Sequence, residues 1–293
     1  MNGFLLIDKP EGITSFFCVK ILRRVSGVRR IGFAGTLDPL ATGLMVFALG
    51  EATKLITYME KSDKVYDVSI RLGAVSDTYD AKGKISEVAF GGRPVRSTIE
   101  KIIEDDFMGE REQVPPIYSA IHVNGERAYD LARKGQKVVM KKRAVHFYDI
   151  KVKAYAWPIL KLTVHCGSGT YIRSLAHDLG QKIGCGGYVE QLRRVKVGLH
   201  HVKDAVGLDD LDVLNVRKHL VAPEVFFKDW RMKELTDEEY GILANGGFAD
   251  CGVDVIIEGV FPIMALYRGQ CVGVLEIFEG KLKFAKKFNI VQV

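Results

Sequence analysis

The sequence predicts an α+β protein: strands and helices through most of the chain, with a small β-barrel-like unit at the C-terminal end. Three observations predict this. Residues 65–72 alternate strictly, with Tyr66, Val68, Ile70 and Leu72 on one face and Val65, Asp67, Ser69 and Arg71 on the other, the period of a half-buried strand. Helix-period apolar stripes at Phe17 to Val25, Ile99 to Phe107 and Ile172 to Ile183 lie among such strands. After Ala222-Pro223 the texture changes to closely spaced short strands with Gly-containing turns.

The elements follow in order. Phe4 to Ile7 reads as a short buried strand ending at the Lys9-Pro10-Glu11-Gly12 turn. A helix follows, capped by Thr14 or Ser15, with Phe17, Cys18, Ile21, Leu22 and Val25 as its apolar stripe and Lys20, Arg23 and Arg24 outside. The Gly-bounded loop from Gly35 to Gly43 leads into Leu44 to Leu49, a buried strand by length and composition. Ser97-Thr98-Ile99-Glu100 has the capping-box pattern and opens a helix with Ile99, Ile102, Ile103 and Phe107 inward, ending at Gly109. Strands are predicted at Ile117 to Val123, Val145 to Tyr155 and Leu160 to Cys166. Between the first two lies a basic excursion, about residues 122–143, with an Asn124-Gly125 turn and a short helix from Ala128 to Lys134. Thr170 is placed as the cap of a helix carrying Ile172, Leu175, Ala176, Leu179 and Ile183, closed by Gly184, with Arg173 and His177 on its less apolar side. Beyond residue 222 come a helix capped at Thr236 and strands near Val253 to Ile257, Phe261 to Tyr267, Val272 to Phe278 and Leu282 to Phe288.

With 47% hydrophobic and 27% charged residues, the 293-residue chain can bury a sizeable core, and its length fits one large domain plus a small one. Its 42 Lys and Arg against 36 Asp and Glu leave a net charge of +6. The longest strongly apolar stretch, Leu44 to Leu49, falls far short of the roughly 20 residues that cross a bilayer. Residues 1–10 lack the basic n-region of a signal peptide, so a cytoplasmic location with no membrane partner is expected. The cysteines Cys18, Cys166, Cys185, Cys251 and Cys271 form no C-x-x-C pair, so neither a disulfide framework nor a zinc ribbon is indicated. Basic clusters at 20–30, 134–143, 193–196 and 281–287 tilt the reading toward nucleic acid, although any one of them could be a solvated face.

No P-loop occurs, and in Gly167-Ser168-Gly169-Thr170 the third glycine of a dinucleotide fingerprint would fall at Ile172. That turn either aims backbone N–H groups at an anion or only reverses the chain. His200-His201 has no carboxylate or cysteine at ligand spacing, so no metal is expected. Asp38, between Leu37 and Pro39-Leu40, is a carboxylate on a restrained loop with apolar neighbours. Such a group can attack electrophilic carbon as glycosidase nucleophiles do, while an Asp-Pro pair is also an ordinary turn former.

The string from Gly35 to Gly43, followed by Gly50-Glu51-Ala52-Thr53-Lys54, closely resembles the catalytic motif of the TruB family of tRNA pseudouridine synthases. Lys64-Val65-Tyr66, Arg71-Leu72-Gly73, Asp77-Thr78-Tyr79-Asp80, Val114 to Ala120, Gly169 to Leu175, and Gly184-Cys185-Gly186 with Leu192-Arg193-Arg194 match family landmarks in order. The tail resembles a degenerate PUA-like RNA-binding domain. The resemblance implies a pseudouridine synthase fold, a mixed, largely antiparallel sheet flanked by helices and loops, with a catalytic domain over 1–222, an RNA-gripping insertion at about 122–143, and a small PUA-like β-barrel domain over 223–293. It implies isomerisation of a flipped-out uridine in the T loop of tRNA, at position 55, without metal or cofactor, by a monomer. Asp38 would be the essential carboxylate, as nucleophile or in forming a glycal. Tyr66 would stack on the base, Arg173 would keep Asp38 ionised, Tyr171 and Leu192 would complete the pocket, and Lys141, Lys142 and Arg143 would contact phosphate. Phe33 stands where the family usually has histidine in Gly-His-Thr-Gly. It can stack on a base but cannot hydrogen-bond as histidine does. Two other readings stay open: a non-catalytic RNA-binding or RNA-chaperone protein of the same fold, which Phe33 supports, and a guide-RNA-dependent synthase, against which the compact N-terminus speaks.

Overall fold

The computed structural model describes residues 1–119, 121–123, 125–136, 138–251 and 262–289. The chain opens with strand β1 (Gly3–Lys9), helix α1 (Ser15–Ser26) and strands β2 (Ile31–Ala34) and β3 (Thr42–Leu49). It continues through α2 (Ile56–Glu60), β4 (Lys64–Leu72), β5 (Ala74–Ser76), β6 (Ile85–Glu87), α3 (Arg96–Phe107) and β7 (Gly109–Gln113). A small ribbon, β8 (His122–Val123) with β9 (Glu126–Arg127), and helix α4 (Ala128–Arg133) make up the excursion. The long hairpin β10 (Arg143–Ala156) and β11 (Ile159–Cys166) follows, then α5 (Ile172–Ile183), β12 (Gly187–Val197), β13 (His200–His201) and β14 (Val206–Gly207). The tail contains α6 (Pro223–Phe226), β15 (Met232–Glu234), α7 (Asp237–Ala244), β16 (Ala249–Asp250), β17 (Ile263–Tyr267), β18 (Gln270–Phe278) and β19 (Lys281–Lys287).

The main sheet runs β14-β1-β3-β12-β4-β11-β10-β7, with β2 beside β3 and β13 beside β12. All its pairings are antiparallel except β1 with β14 and β12 with β3. The tail strands form a second sheet in the order β15-β17-β18-β19-β16. The α+β class read from the sequence is therefore what is found, with a large mixed sheet and a separate C-terminal one.

The apolar run of β3 is explained by burial on both faces. Met45, Phe47 and Leu49 join one core with α1, β4, β11 and α5, while Leu44, Val46 and Ala48 join a second core with Phe226, Phe227, Met264, Val274 and Phe288 of the tail. Alternation on β4 reflects burial mainly on one face, where Val68, Ile70 and Leu72 meet α5 in the first core. Phe4 stacks on Phe226 with ring centroids 4.1 Å apart, and Phe4 pairs with Ala48, so the tail packs against the sheet through β1 and β3.

Helix ends follow local chemistry, with two corrections. Thr14 caps α1, its hydroxyl accepting from the Phe17 N–H at 3.1 Å, and Thr236 forms a complete capping box with Glu239 on α7. Ser97 does not cap α3: the helix starts at Arg96 after an extended Val95, which places Ser97 inside the first turn. Thr170 does not cap α5 either. Its hydroxyl donates back to the Gly167 carbonyl at 2.9 Å and closes the turn, leaving Tyr171 at the cap position. The predicted strand from Ile117 reduces to β8, because Ser119 and its neighbours turn inward toward α5. The expected strand at Val253 to Ile257 and part of the Asn124-Gly125 turn lie outside the described residues.

The sequence reading missed β12. Its alternation is broken by register shifts between Val189 and Gln191 and between Arg194 and Lys196, so its charged residues read only as a basic cluster. The strand matters because it joins the two halves of the sheet, pairing Arg193 and Arg194 with Thr42 and Gly43 of β3. Gly43 has φ +101°, and a Cβ there would run into the Arg194 backbone, so only glycine permits this close approach.

Candidate active site

Asp38 lies on the loop between β2 and β3, at the seam where β3 meets β12. Leu37 and Leu40 are buried on either side of it. The Leu37 N–H donates to Ser15 Oγ at 3.0 Å and Ser15 Oγ donates to the Leu37 carbonyl at 2.9 Å, which pins the loop to the start of α1. The Gly12 N–H donates to the Pro39 carbonyl at 2.7 Å, and the Ala41 N–H to the Asp38 carbonyl at 3.0 Å. A second brace comes from Arg194, which is almost fully buried and donates to the carbonyls of Leu44 at 2.7 Å and Gly35 at 3.0 Å. One cation of a supposed phosphate-binding cluster is therefore a strut of the loop. Its neighbour Arg193 is paired with both carboxylate oxygens of Asp8.

The Asp38 carboxylate keeps 40% of its side-chain surface open toward a cavity of about 570 Å³, and protein surrounds it on the other sides. That volume is in the range of small-molecule sites. Arg173 rises from the first turn of α5 and places Nε 2.9 Å from Asp38 Oδ2. The rest of its guanidinium is spoken for: Nη1 donates to the Thr78 carbonyl at 3.1 Å and lies 3.7 Å from Asp80 Oδ2, and Nη2 donates to the Tyr118 carbonyl at 2.8 Å. Asp80 in turn accepts from the Thr78 hydroxyl at 2.8 Å and the Lys82 N–H at 2.9 Å. Burial pushes the Asp38 carboxyl above its ordinary value. The Arg173 charge opposes that shift, and the Asp80 carboxylate adds to it. The Arg173 guanidinium thus works against a burial that favours the protonated carboxyl.

The structure brings Tyr66, Tyr171, Leu192 and Arg173 into the same cavity as Asp38. Tyr66 on β4 stands opposite Arg194 on β12, and burial raises its hydroxyl pKa. Tyr171 is clamped by Gln113 of β7, whose Oε1 accepts from the Tyr171 N–H at 2.8 Å and whose Nε2 donates to the Tyr171 carbonyl at 3.0 Å. Arg143 pairs in register with Gln113, and Lys141, Lys142 and Arg143 are exposed; none of the three lines the cavity. Lys142 lies 3.2 Å from Glu112. Phe33 does not line the cavity. It packs edge-on against Phe16, with centroids 5.5 Å apart, and tilts against Phe47. His200 stacks on Phe226, which gives the histidine pair a packing role.

Several residues near Asp38 are given no role of their own by the sequence. Lys9 is fully buried, donating to the carbonyls of Pro10 and Ile13, and burial lowers its pKa while Asp38 opposes the shift. Lys64 lines the cavity with its pKa lowered by burial to about 8. The Ser119 hydroxyl is buried in the cavity wall without a hydrogen-bond partner among the described residues. Tyr79, between the two residues that hold Arg173, has φ +63° and stacks on His177 of α5 with centroids 3.9 Å apart.

On the same helix, burial raises the Asp178 carboxyl to about 6. Its folded pKa then exceeds its unfolded one, so the folded state binds the extra proton and stability falls as pH rises from about 4 through about 6. Asp178→Asn is expected to gain on the order of 1 to 2 kcal/mol in urea unfolding at pH 8 and nothing at pH 3.5. An equal gain at both pH values would contradict the burial assignment.

Residues 23–172 match the family model described as TruB family pseudouridylate synthase, N-terminal domain, and residues 173–224 match that of the tRNA pseudouridylate synthase B C-terminal domain. A tRNA pseudouridine synthase B of Clostridium acetobutylicum is 38% identical over 248 residues, covering 84% of this chain and 84% of the relative. The chain belongs to the TruB family of pseudouridylate synthases. A TruB relative named tRNA pseudouridine synthase B from Dehalococcoides mccartyi is 39% identical over 281 residues, covering 92% of this chain and 90% of its own. Among solved structures, a Cbf5-Nop10-Gar1 complex aligns with TM-score 0.73 at 22% identity, covering 98% of this chain and 84% of that one. An H/ACA RNP bound to a substrate RNA containing 2′-deoxyuridine aligns with TM-score 0.71 at 19% identity over 98% of this chain and 84% of that one. These two likenesses speak for the pseudouridine synthase fold of this TruB family member. Among its described residues no helix is long and apolar enough to cross a membrane, and no group of three or more His, Cys, Asp or Glu could hold a metal ion.

Proposed function

We propose that this protein isomerises uridine to pseudouridine in the T loop of tRNA, at position 55, with Asp38 as the essential carboxylate. The observation that carries this reading is the Asp38 carboxylate, 2.9 Å from the Arg173 Nε and open to a cavity that Tyr66 and Leu192 also line. Such a pocket suits a flipped nucleoside: apolar and aromatic walls replace the stacking lost on extrusion, which costs a few kcal/mol. The N1–C1′ bond breaks, the base turns, and C5 bonds to C1′. The C5 proton leaves to solvent and N1 ends protonated. Atoms and electrons balance within one nucleotide, so the isomerisation needs no oxidant or reductant. Asp38 assists at the sugar either by attacking C1′ or by helping form a glycal. Arg173 holds the carboxylate in its reactive, ionised form.

Residues 1–222 would act as the catalytic domain and 223–293 as an RNA-binding appendage. The T arm is read largely by shape and by unstacked bases. Purified protein incubated alone with tRNA transcript carrying C5-tritiated uridine is expected to release one tritium per tRNA, and none when position 55 is cytidine. No release from the first transcript would favour a non-catalytic or guide-dependent protein. The exposed Lys141, Lys142 and Arg143 would meet phosphate. Changing all three to Gln should flatten the dependence of log affinity on log salt by about 2, and an unchanged slope would remove them from the interface.

A further inference from the structure

Helix α1 presents an exposed stripe that the proposed chemistry does not use. Phe16 is 61% exposed, and Lys20, Arg23 and Arg24, one and two turns further along, are exposed as well. Residues four apart share a helix face, about 6 Å apart along the axis. The helix contains no acidic residue, and none of these three cations is in an ion pair with a described residue. An aromatic ring this open gains little for folding, and it is not loosely placed. Its chain neighbour Ser15 is fixed by the two hydrogen bonds to Leu37, next to Asp38, and the edge of Phe33 supports it at 5.5 Å.

We infer that the α1 stripe is a docking surface for the RNA strand beside the reacting nucleotide, with Phe16 stacking on an unpaired base and Lys20, Arg23 and Arg24 following the phosphates. Every nucleobase has a face that an aromatic ring can cover, and cations placed along a strand exchange with its counterions. The stripe is anchored to the loop that carries Asp38, so a base on Phe16 lies next to the nucleotide in the cavity. Phe33 then serves as the edge that orients Phe16 rather than as a wall of the pocket. The inference rests on the RNA-substrate reading above.

The test is the affinity of the full chain for a T-arm hairpin by filter binding, which needs no turnover, with tritium release measured in parallel. Phe16→Ala should raise Kd about tenfold, and Phe16→Trp should keep the wild-type value. Gln at positions 20, 23 and 24 together should flatten the salt dependence by about 2. An unchanged Kd for Phe16→Ala, or equal weakening by Phe16→Ala and Phe16→Trp, overturns the stacking role. If the wild type turns over the hairpin and these variants bind as it does, this inference alone fails. If the wild type does not bind the hairpin, both readings fail.

Discussion

Asp38→Asn is expected to reduce single-turnover tritium release by on the order of 10⁴-fold or more while leaving hairpin affinity within about threefold of wild type, as loss of a group acting in the chemical step does. The substitution is nearly isosteric and leaves the pinning of the loop intact, because those bonds run through Ser15, Leu37, Pro39 and the Asp38 backbone rather than its carboxylate. The fold should also tolerate it at neutral pH. Burial raises the folded-state pKa of this carboxyl, so its ionised form opposes folding above that value, and a neutral amide removes the opposition. In the wild type the same shift sets the acid limb of the rate profile. Activity should fall as pH drops through the raised pKa, because the reacting form is the carboxylate. A variant retaining even a hundredth of the wild-type rate would remove Asp38 from the chemistry.

Arg173 carries the second large effect, and there geometry can be separated from charge. Arg173→Met should abolish turnover, shift the acid limb of any residual activity upward, and cost about 3 kcal/mol in stability. It would leave Asp38 and the buried Asp80 facing each other without a cation. Arg173→Lys keeps the charge but cannot reach Asp38, the Thr78 carbonyl and the Tyr118 carbonyl at once. It should recover most of the stability and little of the rate, with less change in the acid limb. Equal rates for the two variants would mean that the guanidinium fork has no part in positioning Asp38.

Part of this site is legible in the residues themselves. Asp38 stands out because proline and flanking leucines restrain it, and alternation puts Tyr66 on the apolar face of its strand, whereas Leu192 and the pocket roles come from the family resemblance. Arg173 was placed on the less apolar side of its helix, yet it is buried, since Asp38, Asp80 and two carbonyls satisfy it from segments far away in sequence. Long-range satisfaction of this kind leaves no local pattern. The buried roles of Lys9, Lys64 and Arg194 are hidden for the same reason: lysine and arginine read as surface residues unless their partners are known. Strand β12 escaped because two register shifts break its alternation, and Phe33 faces Phe16 instead of the cavity because β2 pairs with β3 and turns that ring toward α1.

The most direct measurement is a crystal structure of the Asp38→Asn protein with a T-arm hairpin. The account predicts the uridine of position 55 turned out of its loop and seated between Tyr66 and Leu192, with C1′ within about 3.5 Å of the side chain at position 38. A hairpin bound with that uridine still stacked in the loop and the cavity empty would contradict it.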